Sequence, residues 1–479
     1  MRRNIITSVF PFVPAVIGII VPIVYLIAPR QHEMPMMIAG SFVFSLVQIL
    51  LPRCRPRSEH YLTPLNWFVL VFFSQLLILP MVIVLFGAQP GTLPFLPSDQ
   101  AMNAALFLNL SAYVCMGVSF SWMDGRLENR EEIPSPGGNQ TGLSWMWALI
   151  FFSVGLIGLI LKYSSVDRFI GFISDPLSRA SLVEDLEGRV TGALSTFMIP
   201  FLPWTFVILW EKLFKQGDGD RSRKHFALPT VIIGFFLLAS IFVNTAMNRN
   251  PLFVATLSLM AVYSIFCRPI RLYVLLILGV MSFVVIPLLG ILRNYNISSF
   301  MVVLNESPWR LADGARLSME NIQVYGAGPQ FLGYMIENID FETELFFGKS
   351  ILASILQPLP ILGRPFRDIS SVRIYNEMIY GSGVDIEDQI VPFQGELFMN
   401  FHLPGIIVGF FLLGIVLAFL NRKFLSSLTP AEGYAWFFVS LWILFLITGS
   451  SAVVSQMFIF TLWPAYAVFV VLRSGKRAF

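Results

Sequence analysis

Long apolar runs joined by short polar connections fill the chain from residue 5 to residue 472. A bilayer core of about 30 Å is crossed by about 20 apolar residues in α-helix. On that ruler the pattern predicts twelve spans, at 5–28, 34–52, 63–88, 101–123, 144–163, 195–211, 228–247, 251–267, 273–292, 397–420, 433–450 and 453–472. The first run follows "MRRN". It is longer than the apolar core of a secretion signal and lacks a small-x-small cleavage site, so it reads as a retained helix.

The polar connections alternate in charge. "RCRPR" (53–57), "EKLFKQGDGDRSRKHF" (211–226), "RPIR" (268–271), "NRK" (421–423) and "RSGKR" (473–477) lie on one side together with "MRRN". Short basic loops stay cytoplasmic, so both termini are expected inside. The opposite loops 29–33 and 89–100 hold a single basic residue, Arg30. Two outer loops depart from that pattern. The third, 164–194, carries Arg168, Arg179 and Arg189; the fifth, 293–396, carries Arg293, Arg310, Arg316, Arg364, Arg367 and Arg373. Long loops translocate regardless of charge, so the alternation holds. The chain then divides into 1–292, with nine spans and the outer loop 164–194, the extracytoplasmic segment 293–396, and 397–479 with three spans.

Composition agrees with an all-α polytopic membrane protein. Of 479 residues, 56% are hydrophobic and 13% charged, against ~25% charged in an average soluble domain. A net charge of +3 gives no reason to expect nucleic acid. Cys54, Cys115 and Cys267 have no metal-ligand spacing, and the sequence contains no P-loop, HExxH, CxxC or GxSxG. The stretch 124–143 is polar and rich in Pro and Gly, a connection without chemistry. No metal or cofactor is expected.

Candidate chemistry gathers at the outer ends of the spans. Pro392 and Gly395 mark a helix start and leave Glu396 in the first turn of the tenth span, where the helix dipole favours a carboxylate. Asn400 lies four residues on, on the same face, and Pro404 frees the carbonyl of Asn400. Buried polar groups at such depth are costly and usually point into a cavity; a plain cap is the alternative. His402 falls on another face and reads as a packed histidine. Arg249, in the tight turn "NTAMNRNPLF", and Arg293, directly after the ninth span, either anchor at the interface or bind an anion. The loop arginines either pair with neighbouring acids or bind phosphate oxygens bidentately. The acidic stretches 340–344 and 385–388 read as solvated edges, with a divalent-ion site as the alternative. "DGD" at 218–220 resembles the metal-binding triplet of nucleotide-sugar transferases but lies in a cytoplasmic turn with no surrounding domain.

Two local stretches carry a resemblance. "FGKSILASILQPLPILGRPF" (347–366) and "GELFMNFHLPGIIVGFFLLG" (395–414), together with twelve spans and enlarged third and fifth outer loops, resemble the Wzy-type polymerases of bacterial O-antigen and capsule repeat units. His402 stands where that pattern has Gly after Asn-Phe, and the arginine-to-glycine spacings match only loosely, Arg316 to Gly326 better than Arg179 to Gly188.

The resemblance implies a GT-C-like membrane glycosyltransferase that works without cofactor or metal. Its substrates would be undecaprenyl-diphosphate-linked oligosaccharides, and membrane lipids, a chain-length regulator and a flippase its partners. An acceptor hydroxyl would attack the donor's anomeric carbon and lipid diphosphate would leave. Glu396 would be the base, with Asn400 beside it. Arg179, Arg189, Arg249, Arg293, Arg316 and Arg373 would be the candidates for holding diphosphate.

Three rivals are separable in principle. A lipid-linked oligosaccharide flippase would show paired halves and mid-membrane charges. An O-antigen ligase of the same fold relies on a His in the large outer loop, and 293–396 contains none. A polyprenyl-monophosphate sugar transferase carries acids in a sizeable first outer loop, which here is only "PRQHE".

Overall fold

A computed structural model describes residues 13–51, 61–91, 93–128, 145–175, 178, 181–182, 185–186, 189–216, 227–245, 249–271, 273–275, 277, 323–324, 326–339, 345–359, 362–383, 389, 391–463 and 466. Among them every regular element is helical. In chain order these are α1 (Val13–Ile27), α2 (Met36–Leu50), α3 (Pro64–Phe86), α4 (Asp99–Glu128), α5 (Trp145–Tyr163), α6 (Val166–Ser174), α7 (Val190–Met198) and α8 (Phe201–Gln216). They are followed by α9 (Ala227–Thr245), α10 (Arg249–Phe266), α11 (Pro329–Asn338), α12 (Lys349–Leu356), α13 (Ser371–Tyr380), α14 (Phe393–Leu425), α15 (Pro430–Leu444) and α16 (Ser451–Met457).

Local chemistry sets several boundaries. The Thr63 side chain accepts from Asn66 N and Pro64 follows at the first helical position, so α3 starts there. Thr429 and Pro430 open α15 in the same way. Within α3 a π-turn at Ser74–Ile78 turns Gln75 into the interior, where its Nε2 donates to Ile447 O at 3.0 Å.

Among the described residues, α3, α4, α5, Val190–Leu213 (α7 continued by α8), α9, α14 and α15 are long and apolar enough to cross a membrane. Shorter apolar helices occupy Gly18–Ile27, Met36–Gln48, Asn250–Phe266 and Ser451–Thr461. The chain is thus an α-helical, membrane-embedded protein. Each of these helices overlaps one of the expected segments, seven of them at spanning length. The remaining segment, 273–292, lies almost wholly outside the described residues. α4 reaches Glu128, beyond the expected end at 123, and α14 is longer than its apolar run at both ends.

Two apolar cores hold the helices together. One joins α1–α4 to α11, α13 and most of α14, as far as Ala418; the other joins α5 and α8–α10 to α15 and the end of α14. α14 belongs to both and is the spine of the fold. It lies tightly against α4, because a Cβ at Gly414 would fall 2.0 Å from Ser119 Oγ and 2.4 Å from Met116 O.

The segment before α14 is not a loose loop. Phe331, Leu332, Tyr334, Met335, Val372, Tyr375 and Ile379 enter the first core, so α11 and α13 form a cap seated on α3, α4 and α14. Tyr334 OH donates to Met378 O at 3.0 Å and Tyr375 OH to Phe331 O at 3.1 Å, locking α11 to α13. Burial pushes both hydroxyls above the ordinary tyrosine range, so both remain donors. Glutamines stitch the cap to the connection between α3 and α4. Gln89 N donates to Gln323 Oε1 at 2.8 Å, and so does Gln330 Nε2 at 2.8 Å.

Candidate functional site

Glu396 is 0% exposed. Its carboxylate accepts from Ser371 Oγ, from Ser451 N at 2.8 Å and from Ser451 Oγ at 3.0 Å. Ser371 is the first residue of α13, Ser451 the first of α16, and Glu396 lies in the first turn of α14. Three helix starts therefore converge on one carboxylate. Their N–H groups and dipoles supply positive potential, which suits a carboxylate that, among the described residues, forms no ion pair. Ser354 Oγ of α12 meets Ser371 Oγ at 2.6 Å and accepts from Ser371 N at 3.0 Å.

Asn400 extends the junction. Its Oδ1 accepts from Gly348 N at 2.8 Å, at the start of α12, and its Nδ2 donates to Ser350 Oγ and to Glu396 O, both at 2.7 Å. Gly348 has φ +85°, which a glycine adopts without strain. Two residues beyond Asn400 the helix breaks. His402 has φ 53° and ψ −151°, a conformation rarely populated outside glycine, and its ring meets Phe398 edge-on at 5.5 Å. The break precedes Pro404, which cannot complete the ladder back to Asn400.

Of the sequence-derived candidates, Glu396 and Asn400 come together, and Arg373 shares the helix of Ser371 with its guanidinium paired to Glu377. Arg373 is in the first turn of α13, two residues from the serine that binds Glu396. Its backbone N donates to Ser370 Oγ, and its Nε donates to Glu377 Oε1 at 2.8 Å. Arg189 is elsewhere, at the N-cap of α7, 65% exposed and 4.0 Å from Asp185. Arg249 opens α10, its side chain outside the described residues. Arg179, Arg293 and Arg316 lie outside them altogether, as do 218–220, 340–344 and 385–388. Among the described residues no group of three or more His, Cys, Asp or Glu is placed to hold a metal.

Sequence reasoning passed over the serines that surround Glu396. Their signal is the doublet Ser-Ser at 370–371 and again at 450–451. In each, the first serine caps the helix and the second reaches the carboxylate. It also passed over Lys162 at the end of α5. This half-buried ammonium donates to Asn244 O at 2.5 Å and stands over the Phe172 ring at 4.3 Å.

Among the described residues, the hydroxyls of Ser371 and Ser451 both bind Glu396 Oε1, and Ser451 N binds Oε2. No family model matches the chain, and no curated protein or solved structure does. What the fold defines is a class: a helical membrane-embedded protein with a folded cap on its spine helix.

Proposed function

We propose that the protein is a polysaccharide polymerase of the Wzy type, joining undecaprenyl-diphosphate-linked repeat units at the outer face of the bacterial cytoplasmic membrane. One observation carries this reading. The two stretches that bear the family resemblance, 347–366 and 395–414, touch each other. Gly348 and Ser350 of the first bind Asn400 of the second, and Ser354 reaches Glu396 through Ser371. The His402 backbone adds support. Its φ of 53° suits glycine, the residue that the family pattern carries there.

On this reading the acceptor hydroxyl oxygen bonds to the anomeric carbon while the bond from that carbon to the diphosphate oxygen breaks. The hydroxyl proton passes to Glu396, and undecaprenyl diphosphate leaves. Arg373 stands on the helix that carries Ser371, where its guanidinium would bind the diphosphate. Arg249, Arg189 and the remaining loop arginines complete the proposed cation set.

The test is purified protein given lipid-linked repeat units in detergent, without nucleotide. A ladder of lengthened glycans is expected, lost in Glu396→Gln with the protein still folded. Transfer of a single unit to a different lipid would replace polymerase by ligase. Unchanged lipid that merely crosses vesicles would mean transport.

A further inference from the structure

The first residues of the α12 segment reach down to the break in α14. Phe346 N donates to Met399 O at 3.4 Å, Gly348 N reaches Asn400 Oδ1 at 2.8 Å, and a Cβ on Gly348 would lie 3.1 Å from Phe401 Cζ. Residues 346–348 thus stand level with 399–401. That level can be set against a membrane. Arg422 and Lys423 fill the last turn of α14 and mark one aqueous boundary. A helix rises 1.5 Å per residue, so a hydrocarbon core of about 30 Å takes about 20 residues. Counted back from Arg422, the other boundary falls beside His402.

The residues at this level expose apolar surface. Phe347 is 71% exposed, Leu352 57% and Ile355 43%, continuous with Phe401 at 42% on α14. The Phe347 backbone is left-handed, φ 45°, which a bulky residue adopts only where its surroundings over-determine it. α12 is flanked by α14 and α16, and Ser455 Oγ of α16 donates to Ile355 O. Ile407 and Val408, the next outward residues of α14, are exposed as well. The apolar edge of α12 therefore continues the surface that the spans turn to lipid, and Lys349, exposed in its first turn, is placed for a lipid phosphate.

We propose that the tip of α12, with Phe347 foremost, is inserted among the acyl chains of the adjoining leaflet and anchors the cap to the membrane surface. This does not depend on the polymerase reading. Aromatic side chains favour the boundary between headgroups and chains, and an apolar patch of this kind on a cap is otherwise a liability.

The experiment uses the full chain with Cys54, Cys115 and Cys267 replaced by serine. Phe347→Cys carries an environment-sensitive fluorophore, and the protein is held in lipid nanodiscs. Ser382→Cys, in an exposed turn of the same segment, is the control. The label at 347 is expected to lose most of its emission to lipids brominated on the acyl chain and little to aqueous iodide, with the reverse at 382. Iodide quenching at 347 would overturn the proposal. So would shielding from both quenchers, which would mean that protein covers the edge. Leu352→Cys repeats the test on the same edge should the first variant fail to fold.

Discussion

Glu396, fully buried, and Lys162, half-buried, are both ionisable groups inside an apolar helical protein, and the contrast between their surroundings is instructive. The glutamate sits where α13, α14 and α16 begin; the lysine sits where α9 ends, bound to Asn244 O and covered by Phe172 and Tyr163. Each thus faces the helix end of polarity opposite to its charged form. The difference lies in how many elements each one joins. Glu396 accepts three directional hydrogen bonds from two other helices, and α12 reaches it through Ser371. Among the described residues, Lys162 hydrogen-bonds only to Asn244 of α9 and otherwise stands against the rings of Phe172 and Tyr163. A node leaves several groups unpaired when it is removed, and a bridge leaves few.

The largest expected effect is therefore at the node. Glu396→Ala would strand Ser451 N and Ser451 Oγ in a buried junction, each at a cost of about 1–3 kcal/mol, and would leave Ser371 Oγ with Ser354 Oγ alone. A loss of roughly 3 kcal/mol or more is expected, read as a lower thermal unfolding midpoint in detergent. A variant that unfolds with the parent would remove Glu396 from its structural place. Lys162→Met is expected to do much less, because a half-buried charge gives way to an apolar side chain of similar volume, a change that is often neutral or stabilising. Its midpoint should match or exceed that of the parent. A drop as deep as that of Glu396→Ala would break the contrast and make Lys162 a node too.

Much of this arrangement was legible in the chain, and the reasons for the rest are physical. Helices long enough to span leave a strong local signal, because twenty apolar residues in a row have few other uses. The start of α14 was readable from Pro392 and Gly395, and its weakness from Pro404. That the break falls at His402, two residues before Pro404, was not. The partners of Glu396 were hidden by distance. Ser371 lies 25 residues away and Ser451 55, and a serine reads as a cap, a turn or a surface residue until packing decides. The cap misled by its polarity. Gln323 and Gln330 look solvated in sequence, yet both are buried and hold the connection between α3 and α4.

The smallest effect on stability is expected at Arg189, and it separates fold from ligand. Arg189 and Arg168 each stand 4.0 Å from Asp185, and all three side chains are more than half exposed. Exposed pairs of that kind contribute little, and Arg168 still faces Asp185 when Arg189 is gone. Arg189→Ala should therefore leave the unfolding midpoint within the change of about 0.5 kcal/mol typical of surface sites. Glycan lengthening is a different matter under the polymerase reading. If Arg189 meets the diphosphate, the ladder shortens while the midpoint stays, and Arg189→Lys restores it only in part, because an ammonium lacks the two-pronged geometry of a guanidinium. A full ladder from Arg189→Ala would leave Arg189 a solvated surface charge and confine the cations that matter to the cap that carries Arg373.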